Sequence, residues 1–316
     1  MGSNELRARA KRLRARYRHC DLCPRRCGVD RTRGERGVCG VAGGLPVAAA
    51  LAHFGEEPPL SGARGAGTIF FGGCNLRCSY CQNIQISRLD IAMPVLEPAQ
   101  LAARMLDLQR EGCHNIELVT PSHLVPPILE ALACAADDGL VLPIVHNSGG
   151  YDALDVLQEL DGVIDVYLPD LKYSSAERAR ELSGAPDYWP VARAAIAEMV
   201  RQTGELLLDD EGCASAGTIV RHLVLPAGLS GTEEALRFLA SLRPTPALSL
   251  MAQFHPMPAC AHPALQRPLR REEYERACLL VRDLGLAGWV QDPSSAPLLR
   301  PDFRDETPFR DAENAP

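Results

Sequence analysis

Lysine is almost missing from this 316-residue chain. Lys11 and Lys172 are the only two, and arginine supplies every other permanent cation among 33 basic residues. No apolar run approaches the ~20 residues that a membrane-crossing helix needs. The first residues are basic rather than apolar, so no secretory signal is expected. A net charge of −7 argues against general nucleic-acid binding. Twelve cysteines are too few for a disulfide scaffold at this length. Seven of them fall into two clusters, which in an unexported chain points to metal or redox chemistry in a reducing compartment. The expectation is a cytoplasmic protein with neither a membrane nor a nucleic-acid partner.

The run RARAKRLRARYR, Arg7 to Arg18, departs locally from the acidic balance. Leu6, Leu13 and Tyr17 recur along it at helical spacing, so it reads as an amphipathic helix docked by one face. Its arginines read as a solvated face rather than an RNA patch. A cysteine-rich segment over 20–39 follows, then a strand-like run, LPVAAALA.

From residue 67 a regular alternation sets in. GTIFFGG, HNIELVTPSH, LVLPIVHNSGG, VIDVYLPDLKY, GTIVRHLVLPAG and ALSLMAQFHP read as strands, separated by segments with helical spacing. Short apolar strands alternating with longer helices are the signature of parallel βαβ units. Roughly six units in about 200 residues suit an α/β fold of the partial (β/α)6 TIM-barrel type. A doubly wound open sheet is the alternative. The expected division is a cysteine-rich N-terminal extension over 1–45, the barrel over 46–300 and a tail over 301–316. The strands end in polar groups: Thr120, Ser122 and His123; His146, Asn147 and Ser148; Asp170 and Lys172; Arg221 and His222; His255. Such strand ends are where chemistry collects in parallel α/β architectures.

The loop after the first of these strands, GGCNLRCSYCQN, holds Cys74, Cys78 and Cys81 with no fourth ligand beside them. A structural zinc site closes with four ligands. Three thiolates on a 4Fe–4S cluster leave one iron open to a substrate, which a closed electron-transfer cluster does not. Three buried cysteines, or a zinc site completed from elsewhere, are the plainer accounts.

The C-x3-C-x2-C spacing, with Tyr80 just before the last cysteine, resembles the radical S-adenosylmethionine (SAM) superfamily. The stretches AHFGEEPPLSGARGAGTIFFGGCNLRCSYCQNIQIS, LVTPSH, PIVHNSGGYD, VYLPDLKY and IVRHLVLP are similar to radical SAM proteins named for their likeness to pyruvate formate-lyase-activating enzyme. The resemblance runs from about Cys20 to at least Pro256. It implies an oxidoreductase-type enzyme whose cluster, on Cys74, Cys78 and Cys81, cleaves SAM reductively to a 5′-deoxyadenosyl radical that abstracts hydrogen. It says little about the acceptor.

Carried over position by position, Thr120, Ser122 and His123 stand where relatives bind the SAM amino group with a glycine-rich stretch ending in glutamate, a pattern this chain lacks. Asn147 and Ser148 match the strand end that holds ribose hydroxyls, although Asn and Ser also serve in turns. Asp170 and Lys172 match a catalytic aspartate and lysine near SAM. A compact ammonium, kept in a chain that otherwise uses arginine, suits a cavity too tight for a guanidinium. Arg221 or His222 is a candidate for the SAM carboxylate, the other turning into helix packing. Glu56 and Glu57 read as a solvated loop and His53 as a core histidine. GARGAG precedes a strand rather than following one, which rules out a dinucleotide loop.

Cys20, Cys23, Cys27 and Cys39 form a quartet able to bind a second iron–sulfur cluster or zinc. The partners expected are an electron donor such as flavodoxin or ferredoxin, and a hydrogen donor that is either a glycyl-radical enzyme or a small molecule or peptide. A non-catalytic iron–sulfur or zinc protein is the rival reading.

Overall fold

The computed structural model describes residues 1–258, 260–293, 301–305 and 307–309. The parts of the expected barrel and tail at 259, 294–300, 306 and 310–316 lie outside the described residues.

In chain order the strands are β1 (Leu45–His53), β2 (Ala66–Phe71), β3 (Val95–Leu96), β4 (Ile116–Val119), β5 (Ile144–Ser148), β6 (Val166–Pro169), β7 (Leu207–Leu208), β8 (Ala214–Leu223), β9 (Ala247–Met251) and β10 (Gly288–Val290). They form one sheet in the order β10-β9-β8-β6-β5-β4-β2-β1-β3, with β7 beside β8. From β2 through β4, β5, β6, β8 and β9 to β10 every pairing is parallel. Among the described residues the sheet does not close, so the architecture is a partial TIM barrel. The strand-like LPVAAALA is β1, which pairs antiparallel with β2 and extends the sheet beyond the barrel. Strand β10, following the helix Arg271–Asp283, adds a parallel strand to the six units read from the sequence.

The helices carry their own start and stop signals. Glu97 and Gln100 make a capping box at the start of Pro98–Glu111, and Gly112 ends it at φ 92°. No helix among the described residues is long and apolar enough to cross a membrane.

The N-terminal helix, Ser3–Ala15, docks as expected through Leu6, Ala10 and Leu13, with Tyr17 buried just beyond. These residues share one hydrophobic core with the helices Pro98–Glu111 and Val125–Asp137. Its arginines are less solvated than their sequence implies. Arg14 pairs with Glu130 at 2.6 Å, Arg12 with Glu159 at 2.8 Å, and Arg9 caps the Glu159 and Asp161 carbonyls, both at 2.8 Å. The basic face is a clamp on neighbouring helices.

Inside the barrel, Leu60, Val145, Val166, Leu168, Ala214 and Ile219 make an apolar plug. The stretch 301–305 folds back over Phe70, and Phe303 and Phe309 lie 5.2 and 5.4 Å from it ring to ring. Gln85 holds it there through Asp302 and the Phe303 amide, both at 2.8 Å.

Candidate functional site

The loop after β2 turns through Gly72 and Gly73. Gly73 has φ 80°, and a Cβ there would lie 2.6 Å from the Cys39 carbonyl oxygen, so both conformation and space require glycine. Cys74, Cys78 and Cys81 then open on one cavity of about 440 Å³. Each sulfur faces a donor: the Leu76 amide to Cys74 at 3.4 Å, Ser183 Oγ to Cys78 at 3.0 Å and Ser87 Oγ to Cys81 at 3.4 Å. Burial, and then the neighbouring thiols, push the Cys74 thiol up to about 12. Ligating a metal there would mean displacing a firmly held proton.

Thr120, Asn147, Ser148, Asp170, Lys172 and Arg221 line the same cavity from the strand ends, and Tyr80 lines it from the loop. Tyr80 is wedged edge-on between Tyr173 and Phe254, 6.3 and 6.2 Å away. Lys172 Nζ meets Asp170 Oδ2 at 2.6 Å. Thr120 has a left-handed backbone, φ 62°, with its amide on the Asn147 carbonyl at 2.8 Å. Asn147 Nδ2 donates to Glu117 Oε1 at 2.6 Å.

Other candidates turn away from the cavity or are already engaged. Ser148 Oγ donates to Asp152 at 2.6 Å and accepts from the Gly150 amide at 3.2 Å, a turn role. Ser122 also bonds the buried Asp152 carboxylate. His123 is buried with Nε2 3.0 Å from the Gly72 carbonyl oxygen. Burial and the nearby Arg31 lower its pKa to about 4, so it is neutral. His222 packs outward onto Leu171 O at 2.7 Å and Thr232 Oγ1 at 3.0 Å. His255 is exposed.

Glu56 and Glu57 are not the solvated loop their sequence suggests. Their side chains are 7% and 5% exposed, and both grip Arg221, Glu57 at 2.7 and 2.6 Å. The segment between β1 and β2 carries them into the barrel as Leu60 enters its plug. Glu117 is completely buried nearby in β4. Burial and the Glu56 charge raise its pKa well above the usual carboxylate value, more than Arg221 lowers it. The signal for it was a charged residue inside an otherwise apolar parallel strand, IELV. His53 is buried as expected, but it also lines the cavity, under Phe309 at 4.1 Å.

The quartet lies on the other side of the Gly72–Gly73 turn. Cys20, Cys23 and Cys39 are buried and Cys27 is half-buried. Burial, offset by a backbone hydrogen bond and reinforced by the other three thiols, raises Cys23 to about 12. Arg25 ties the segment to the cavity loop through the Asn75 carbonyl at 2.6 Å and to the end of the helix Ala176–Ser183 through the Ser183 carbonyl at 2.6 Å.

This geometry agrees with what the chain is similar to. The Radical SAM superfamily description matches residues 68–204, from β2 through the helix that ends at Thr203. An uncharacterized protein of Methanocaldococcus jannaschii is 30% identical over 280 residues, covering 85% of this chain and 76% of the relative. The chain belongs to the radical SAM superfamily. A solved radical SAM methyltransferase from Sphaerobacter thermophilus shares the fold with this radical SAM chain at a TM-score of 0.51. That likeness has 16% identity over 71% of this chain, which spans 65% of the neighbour's length, and it shows the fold alone. Membership implies a 4Fe–4S cluster and SAM. The residues fit both: three thiols with individual donors share a cavity with an ammonium, a carboxylate and an amide.

Proposed function

We propose that this radical SAM enzyme binds its cluster on Cys74, Cys78 and Cys81 and holds SAM against Lys172, Asp170 and Asn147. The observation that carries the reading is the convergence of those six residues on one cavity at the strand ends. When bound, the cluster supplies the electron that cleaves SAM to methionine and a hydrogen-abstracting 5′-deoxyadenosyl radical. The chain's own groups position and shield. Lys172 offers a charged donor whose orientation Asp170 fixes, and Tyr188 holds the Lys172 amide at 2.8 Å. Asn147 is held by Glu117, which accepts from its Nδ2 at 2.6 Å. Arg221, neutralised by two glutamates, serves as a wall rather than as a free cation for the SAM carboxylate.

The hydrogen donor in this reading is a small molecule or a narrow peptide. Pro301 and Phe309 are among the cavity walls, and a volume of about 440 Å³ leaves little room for a folded partner's loop while they stay in place. Activation of a glycyl-radical enzyme, the activity for which similar proteins are named, would require Pro301 and Phe309 to move aside. A flavodoxin- or ferredoxin-type donor of low potential supplies the electron, and the quartet is a second metal centre. The test is anaerobic: reconstituted protein, dithionite and SAM, with 5′-deoxyadenosine measured against Cys78→Ala. Cysteine-dependent product supports the reading. A loaded cluster with neither product nor a SAM-induced spectral change would replace it with the non-catalytic one.

A further inference from the structure

Two buried polar groups beside the quartet have no role in the cavity. Arg31 is 2% exposed, and no carboxylate pairs with it among the described residues. Its Nη1 donates to the His123 carbonyl at 2.7 Å and lies 4.0 Å from Cys20 Sγ, its Nε donates to the Ala42 carbonyl, and its Nη2 has no partner among the described residues. The guanidinium covers the Tyr17 ring at 4.0 Å. Tyr17 is 1% exposed, and among the described residues its hydroxyl has no partner either. A buried cation without counter-charge and two buried donors without acceptors are costly arrangements, and here they occur together against cysteines.

We propose that Cys20, Cys23, Cys27 and Cys39 hold an iron–sulfur cluster, with Arg31 as its buried counter-charge and Arg31 and Tyr17 as donors to its sulfurs. The proposal rests on the quartet being a metal centre and names which one. Four thiolates outweigh the positive charge of a zinc ion or of a cluster core, so either centre would neutralise Arg31. The acceptors tell them apart. Tetrahedral zinc brings none beyond the four thiolates, whereas a cluster adds inorganic sulfides that accept N–H and O–H bonds. Hydrogen bonds and nearby charge of this kind tune a cluster's potential.

The two centres are in backbone contact. The Cys39 carbonyl presses on Gly73, the residue before Cys74, and His123 links Arg31 to the Gly72 carbonyl.

The experiment uses the full chain. A Cys74→Ala, Cys78→Ala, Cys81→Ala variant, reconstituted anaerobically with iron and sulfide, is expected to keep iron and acid-labile sulfide in about equal amounts. Adding Cys20→Ala and Cys39→Ala should remove both. Tyr17→Phe and Arg31→Met should each lower the midpoint potential of the remaining cluster, because the reduced form loses a donor or a cation. Arg31→Lys should fall between wild type and Arg31→Met, and Tyr17→Phe keeps the test alive if the Arg31 variants do not fold. Zinc without labile sulfide, or a potential unmoved by Tyr17→Phe, overturns the proposal. The wild-type protein separates this from the cavity reading. A SAM-dependent spectral change without a second cluster sinks the quartet proposal alone, and a quartet cluster without any SAM response sinks the cavity reading alone.

Discussion

Lys172 Nζ stands 2.6 Å from Asp170 Oδ2 on the wall of the three-cysteine cavity. Burial alone would pull the ammonium's pKa down, but Asp170, followed by Cys78, Tyr80 and Tyr188, holds it well above the usual lysine value. The cation is permanent, and its counter-ion is two residues away.

Lys172→Met should therefore lower SAM-dependent 5′-deoxyadenosine formation by about 10- to 100-fold while iron content stays at the wild-type level. Lys172→Arg should fare little better, because a planar guanidinium does not fit the space of a compact ammonium. Full activity in Lys172→Arg would show that charge alone is needed there.

Removing Arg221 exposes the opposite electrostatic problem. Arg221→Met takes the guanidinium away from the buried Glu56 and Glu57, with a loss of about 3–5 kcal/mol in urea unfolding. Adding Glu57→Gln should recover part of that loss, so the double variant is more stable than the sum of single effects predicts. Strict additivity would mean that the pair does not interact as its geometry implies.

Acid should weaken the fold through His222. Burial lowers its pKa from 6.5 to about 4, more than Leu171 O and Asp170 raise it. The unfolded chain takes up a proton there that the folded one refuses. Its contribution is complete above pH about 6.5 and is lost toward pH about 4, at up to about 1.4 kcal/mol per pH unit. Unfolding free energies measured from pH 7.5 to 5 should fall less steeply for His222→Gln. An unchanged slope would assign the acid sensitivity elsewhere.

The N-terminal helix should depend on its apolar face far more than on its charges. Leu13→Ala should cost about 2–5 kcal/mol, as buried leucines do. Arg12→Ala removes a pair whose arginine is half exposed and should cost less than about 1 kcal/mol. Thermal unfolding of the two variants side by side gives the comparison, and equal losses would contradict the docking described here.

Much of the fold was legible because its signals are local. The apolar strand runs, the glycine after the helix ending at Glu111 and the apolar spacing of Leu6, Leu13 and Tyr17 each act over a few residues. The antiparallel partner of LPVAAALA was not legible, since a strand's direction in a sheet depends on where its neighbour runs. Among the candidate site residues, Asp170 and Lys172 meet just past the end of β6, two positions apart in the chain. Ser122 and His123 sit one and two residues beyond the turn at Pro121 and face Asp152 and Gly72 instead.

The cysteine spacings were sufficient by themselves to mark both clusters of thiols, because ligand sets on one loop must be close in sequence to be close in space. Charge compensation follows another rule. Arg221 meets Glu57 across 164 residues, and Glu56 and Glu57, which read as a solvated pair, become a buried one only when β1, β2 and β8 assemble. Likewise Arg31 becomes a buried cation, without a carboxylate among the described residues, only once Tyr17 and His123 close over it. Desolvation and Coulomb energy depend on what surrounds a group in three dimensions. Tertiary structure thus decided which charges are neutralised, which are stranded, and where a second centre would be held.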